Sequence, residues 1–139
     1  LVEESVNQLS QVLRDPSVAV RDTAAWTIGK ISMYHSEIIY NVLGKYDEKD
    51  SLFGILLERL ADFPRVASNV CWVIHQLAIN KRNLYNSSNQ IIGTALDDSF
   101  CVLCKKLLDV AAREDSDLRN LRESAFNALN MVIVNVSDR

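Results

Sequence analysis

Two segments of this chain repeat one pattern, and each carries a tryptophan at the same place. Residues 20–28 read VRDTAAWTI and residues 66–74 read VASNVCWVI, which puts Trp26 and Trp72 in equivalent positions. A helix that recurs with a large aromatic residue in one position is typical of stacked helical repeats. Such folds present an extended surface to a partner. The pattern therefore favours a binding protein over an enzyme.

The composition is that of one mostly helical globular unit. The 139 residues are 48% hydrophobic and 24% charged, and only 4 Gly and 2 Pro are present to break helices. A net charge of -3 argues against nucleic acid as the ligand and weakly favours a basic partner. No apolar run is long enough to span a membrane, so we expect no membrane partner. Because the chain begins at Leu1 inside a predicted helix, we expect it to be a piece of a longer protein.

The apolar spacing predicts three pairs of helices. Equivalent positions at Val20, Val66 and Leu121 recur after 46 and 55 residues, and repeats of about 40 to 47 residues are of the HEAT or armadillo type. The turn at Asp15 and Pro16 favours HEAT. We predict an all-α, right-handed α-solenoid of HEAT repeats with an armadillo-like superhelix. Its predicted parts are a repeat over 1–34, a connector with room for one short helix over 35–50, a repeat over 51–80, a polar link over 81–97 and a repeat over 98–136.

Two longer motifs resemble a known family. Residues 15–29, DPSVAVRDTAAWTIG, followed by residues 64–72, PRVASNVCW, resemble the central HEAT repeats of the importin beta family of nuclear import receptors. Residues 120–126, NLRESAF, are similar to the next repeat of that family. The resemblance implies that inner helices line a concave face around the basic importin-beta-binding helix of importin alpha, or around other basic cargo. It also implies that Trp26 and Trp72 pack against that ligand.

The resemblance implies further partners for an intact receptor. These are Ran GTPase and the FG nucleoporins, whose contacts are expected mostly outside this segment, and the receptor would shuttle between cytoplasm and nucleus through the nuclear pore complex. A HEAT scaffold of another kind, such as a phosphatase or chromatin platform with no transport role, stays open as an alternative. Retention of a basic, Arg-rich helix would separate the two.

Ordinary chemistry supports a basic ligand. An indole ring attracts a cation within about 6 Å of its centroid. Asp22 precedes Trp26 by four residues and shares its helix face, so that a ligand guanidinium could stack on the ring and pair with the carboxylate. Asn69 stands three residues before Trp72. In the third pair, Glu123 and Asn127 occupy the positions of Asp22 and Trp26. The predicted binding residues are Trp26, Trp72, Asp22, Asn69, Glu123 and Asn127.

Three other polar residues are predicted to be structural. Asp15 and Arg21 have the spacing with which HEAT repeats connect adjacent turns, and Arg122 repeats the arginine in the third pair. The second repeat has Ala67 in this position, which predicts an apolar contact there.

The cysteines do not predict a metal site or a catalytic site. Cys101 and Cys104 form a CxxC pair within an apolar stripe, and Cys71 and His75 are four residues apart on one helix face. A structural zinc needs four ligands that converge, which these residues do not offer. We expect buried, inert thiols, no cofactor and no metal. Because no phosphate loop or nucleophile motif is present, we expect no enzyme activity.

Overall fold

The computed structural model describes residues 2–136, and most of these residues are helical. The predicted all-α fold is confirmed. The helices are α1 (Val2–Val12), α2 (Val18–Tyr34), α3 (Ser36–Val42), α4 (Leu52–Arg59), α5 (Pro64–Ile79), α6 (Phe100–Ala111) and α7 (Leu121–Asn135), with single 3-10 turns at Asp97–Ser99 and Leu118–Asn120. Two short strands, β1 (Asn83–Tyr85) and β2 (Ile91–Thr94), lie between α5 and α6.

The long helices stack as a solenoid. α2, α5 and α7 lie side by side in one layer, with α5 between the other two. α1, α4 and α6 each pack against the helix that follows in their own pair, and the short α3 packs against α1 and α2. One continuous apolar core runs through the stack. The repeat boundaries at 34, 50, 80 and 97 remain predictions.

Local sequence explains where the layer of α2, α5 and α7 begins. Ser17 caps α2 by accepting the Val20 N–H, and Pro64 is in the first turn of α5, where its missing N–H costs no helical hydrogen bond. Where α2 faces the core it presents the small side chains of Ala24 and Ala25. Small residues let neighbouring helices approach closely, so the layer of α2 and α5 is tightly packed.

The polar link contains structure that the helical spacing did not predict. β1 and β2 form an antiparallel hairpin, in which Asn83 pairs with Thr94. Asn89 in the turn has a φ of 59°, a conformation that Asn tolerates better than most residues. Two short apolar runs on either side of an Asn-rich turn are a hairpin signal. The segment predicted only as a polar link therefore contains a two-stranded hairpin within an otherwise helical fold.

Membrane insertion has no support in the described helices. Across residues 2–136, each helix is either too short or too polar to cross a bilayer.

Candidate functional site

The two tryptophans lie next to each other across the contact between α2 and α5. Trp26 is 49% exposed and Trp72 is half-buried, so neither ring is enclosed in the core. The six-membered part of the Trp72 ring lies directly over Gly29 of α2, where a Cβ atom would overlap it. Gly29 therefore allows Trp72 to reach across to α2. We call Trp26, Gly29, Lys30 and Trp72 the tryptophan surface.

A cation of the chain itself lies between the two rings. The Nζ atom of Lys30 is 5.4 Å from the Trp26 ring centroid and 5.7 Å from the Trp72 ring centroid. Lys30 follows Trp26 by four residues, which places both side chains on one face of α2. Both distances are within the range of cation–π attraction. The geometry of this surface thus holds a positive charge in contact with both indoles.

Asp22 and Asn69, predicted separately as ligand contacts, touch each other. The Asn69 Nδ2 donates to the carboxylate of Asp22, and Arg65 pairs with the same carboxylate at 2.8 Å. Asp22 and Arg65 keep 21% and 40% of their side chains exposed, so the cluster is at the surface. The carboxylate that was predicted to pair with a ligand guanidinium already pairs with a guanidinium of this chain.

Arg21 connects the first two helix pairs. Its guanidinium donates to both carboxylate oxygens of Asp62, at 2.7 and 2.9 Å, from side chains that are 11% and 4% exposed. It also donates to the main-chain oxygen of Asp15 at 2.9 Å. Burial raises the pKa of Asp62, but the hydrogen bonds from Arg21 and from the Phe63 N–H outweigh burial and hold that pKa below its usual value. The same pair raises the pKa of Arg21, chiefly through the hydrogen bond to Asp62.

The two other predicted structural residues have more local contacts. The Asp15 carboxylate accepts the N–H of Ser17, two residues on, within its own turn. Arg122 is exposed, and its Nε donates to the oxygen of Ala111 at 3.4 Å within the third helix pair.

The predicted residues of the third pair lie apart from the tryptophans in the layer. Glu123 and Asn127 are both exposed on α7, which packs on the other side of α5 from α2. They extend the exposed face of the layer and leave a carboxylate at its surface. α7 has no tryptophan to match the two rings.

The cysteines differ in their surroundings. Cys71 is buried, which raises the pKa of its thiol to about 12, and burial also raises the pKa of Cys104. Cys101 is exposed, so the expectation of a buried thiol is wrong there, because the buried stripe of α6 runs through Leu103 and Leu107 instead. Residues 2–136 hold no group of three or more His, Cys, Asp and Glu side chains placed to bind a metal.

The sequence patterns did not predict three residues that contact the tryptophans or Asp22. Lys30, Gly29 and Arg65 were not predicted, although each lies in or beside the repeated motifs. Lys30 could have been predicted, because its spacing of four residues from Trp26 places both side chains on one helix face. Nothing local indicates that Gly29 lies beneath a ring from another helix.

Comparison with known sequences identifies the repeats. A sequence model described as "Importin subunit beta-1-like, TPR repeats" matches residues 51–139, and a HEAT repeat model matches residues 6–35. The chain is 32% identical to importin subunit beta-1 of Arabidopsis thaliana over 126 residues, which are 90% of this chain and 14% of the relative. It is 28% identical to importin subunit beta-1 of Saccharomyces cerevisiae over 140 residues, 99% of this chain and 14% of the relative. The chain thus spans about one-seventh of the length of these relatives.

Solved structures give the same result. A chain in a Kap95:Nup1 complex superposes with a TM-score of 0.72 at 28% identity, over 99% of this chain and 14% of that chain. A Kap95p structure that concerns binding to RanGDP superposes with a TM-score of 0.74 at 27% identity, over 99% of this chain and 15% of that chain.

Proposed function

The chain belongs to the importin subunit beta-1-like family, and on that premise we propose that it is part of a nuclear import receptor that binds basic ligands. The ligand lies across the exposed faces of α2, α5 and α7. It is the basic importin-beta-binding helix of importin alpha or a basic nuclear localisation signal.

The observation that carries this proposal is the cation held by the two tryptophans. Lys30 places an ammonium group within 6 Å of both ring centroids, which supports the ability of these rings to receive a cationic side chain. Trp26 is half exposed, so part of its ring is accessible to a ligand. A helix rich in Arg and Lys offers cations at a spacing that several such contacts can use together.

The charges along the layer fit the same ligand less strongly. Glu123 is exposed on α7 and forms no ion pair within residues 2–136, so it is available to a basic group. Asp22 pairs with Arg65 and would contribute only by exchanging that partner. We therefore assign most of the binding to Trp26 and Trp72, with Glu123, Asn127 and Asn69 as polar neighbours.

The further partners belong to the intact receptor. We propose that it binds Ran GTPase and FG nucleoporins mostly outside this segment and that it shuttles between cytoplasm and nucleus. The similar Kap95 chains are described in complexes with Nup1 and with RanGDP, which supports partners of these two classes.

The test is a calorimetric titration of a synthetic Arg-rich helical peptide into the chain. Replacing Trp26 and Trp72 together with Ala should weaken binding by about 1 to 4 kcal/mol, because about 0.5 to 2 kcal/mol is expected from each cation–π contact. The control is Phe63→Ala, which removes a comparably exposed aromatic ring from the turn between α4 and α5.

Urea unfolding shows whether the variants remain folded, since a loss of binding counts only in a folded protein. If the folded double variant holds the peptide as tightly as wild type does, and also does so when Lys30 is replaced by Gln, the tryptophans are not the binding site. If an Arg-free peptide of equal helicity binds equally well, the ligand class is wrong.

A further inference from the structure

Lys30 contacts both rings of the proposed binding site. Its positively charged Nζ atom is almost equally distant from the two ring centroids, at 5.4 Å from Trp26 and 5.7 Å from Trp72. A ligand ammonium or guanidinium that used both rings would need the same space. Two cations placed there together would also repel each other.

Several features hold Lys30 in this place. The helical spacing of four residues points Lys30 and Trp26 along one face of α2. The adjacent Gly29 brings the ring of Trp72 close to the backbone of α2 beside it. Lys30 forms no ion pair with a carboxylate in residues 2–136, so the two rings are its recorded electrostatic partners.

The second helix pair shows what the same position looks like without a charge. Where the first repeat has Lys30, the repeat spacing puts Gln76 on α5, and Gln76 is half-buried. A neutral side chain is thus accommodated at this point of the layer. The positive charge of Lys30 is a property of the first pair and is not required by the packing of such helices.

We propose that Lys30 sets the ligand preference of the tryptophan surface by occupying the space between Trp26 and Trp72 in the free chain. A basic ligand that uses both rings binds after the Lys30 side chain swings out to solvent, and the loss of its two ring contacts lowers the affinity. A ligand with a neutral or acidic residue at this point leaves Lys30 in place. The inference rests on the proposed function, since it concerns the same two rings.

The test uses Lys30→Gln, which copies the residue of the second pair, and Lys30→Met, which keeps a long, unbranched side chain without the charge. Both should bind the Arg-rich peptide at least about five-fold more tightly than wild type, because each of the two ring contacts that Lys30 gives up represents at least about a two-fold change in affinity. The matched control is Lys106→Gln, which removes one positive charge from an exposed position on α6. It should change the affinity less than about two-fold, as expected for a screened surface charge.

A second peptide, with Glu in place of one central Arg, measures preference. Lys30→Gln should raise the ratio of affinities for the Arg peptide over the Glu peptide, whereas Lys106→Gln should leave that ratio unchanged. Unfolding in urea should show both Lys30 variants modestly less stable than wild type, because their folded state lacks the two ring contacts, whereas Lys106→Gln should unfold nearly like wild type.

The outcomes separate this inference from the proposed function. If Lys30→Gln binds the Arg peptide no more tightly than wild type while the double tryptophan variant still loses binding, Lys30 does not compete and this inference is overturned. If the double tryptophan replacement has no effect even in the Lys30→Gln background, the proposed function itself fails. Tighter binding by Lys30→Gln that disappears when both tryptophans are replaced would support both.

Discussion

Two contacts join the long helices of the layer, one between α2 and α5 and one between α5 and α7. The helices are similar, but the side chains that meet in the two contacts differ. In the first contact, charged groups cross the boundary. Arg21 reaches from the start of α2 to Asp62, Asp22 pairs with Arg65, and Trp72 covers Gly29. These groups bring both tryptophans to one surface.

The second contact has no charged pair in the corresponding positions. Ala67, fully buried, replaces the arginine, and the side chains that cross beside it are hydroxyls: the Oγ atoms of Ser68 and Ser124 are 2.9 Å apart. The Ser68 hydroxyl also donates to the main-chain oxygen of Arg119 at 3.3 Å. Farther along, Arg113 donates to the main-chain oxygen of Leu60 at 2.9 Å without meeting a carboxylate of the second pair. The predicted apolar contact at Ala67 agrees with its burial, but the hydroxyl pair beside it was not predicted.

The difference shows that such helices stack without a salt bridge at the position of Arg21, since apolar burial and neutral hydrogen bonds occupy that place in the second contact. The ion pairs of the first contact join the start of α2 to the start of α5, and both tryptophans of the proposed binding site lie on these two helices.

The largest expected effect concerns Arg21. Arg21→Ala removes two charge-assisted hydrogen bonds from the buried Asp62 carboxylate, which keeps those from Arg59 and the Phe63 N–H, so the free energy of unfolding should fall by about 3 kcal/mol. Equilibrium unfolding in urea measures it. The matched control is Arg122→Ala in the third pair, which removes an exposed guanidinium and should cost less than about 0.5 kcal/mol.

The pH dependence of this effect has a defined sign. Because the pKa of Asp62 is lowered in the folded chain, its pairing stabilises the fold above the carboxyl pKa of the unfolded chain, about 3.9. That stabilisation is lost as the pH falls through the lower, folded value. The gap between wild type and Arg21→Ala should therefore narrow in acid. A gap independent of pH would show that Arg21 stabilises the contact by packing instead.

The next effect concerns Gly29 and the ring above it. Gly29→Ala should destabilise the chain by about 1 kcal/mol, since overpacking against Trp72 outweighs the better helix propensity of Ala. In a Trp72→Ala background the same change should stabilise the chain by about 1 kcal/mol, because only the propensity term is left. A double-mutant cycle in urea measures the coupling, and simple additivity would mean that Trp72 does not rest on Gly29 in solution.

The smallest effect belongs to the second contact. Ser124→Ala should cost about 0.5 to 1 kcal/mol, the usual value of one hydrogen bond, because the Ser68 hydroxyl keeps the oxygen of Arg119 as an acceptor. Thr23→Ala is the control, since that hydroxyl bonds within its own helix to Ala19. A loss as large as that of Arg21→Ala would remove the distinction between the two contacts.

Much of the fold followed from the spacing of apolar residues. The stripe through Ala24 and Ile28 in α2 and the stripe through Val66, Val70 and Leu77 in α5 are buried, as helical periodicity requires. The hairpin at β1 and β2 was missed because its strands are only three and four residues long. Strands of that length contain too few alternations to compete with a loop in a single sequence.

The sequence by itself determined the helices, their stacking as repeats and the equivalence of Trp26 and Trp72, because each depends on spacing along one helix or between copies of one motif. Only the tertiary structure decided which charge each polar residue meets. Asp22 and Arg65 are 43 residues apart, and Lys30 reaches the ring of Trp72 only because another helix brings that ring over Gly29. The pairing of side chains from different helices depends on how those helices are packed and turned against each other, and no local pattern contains that information.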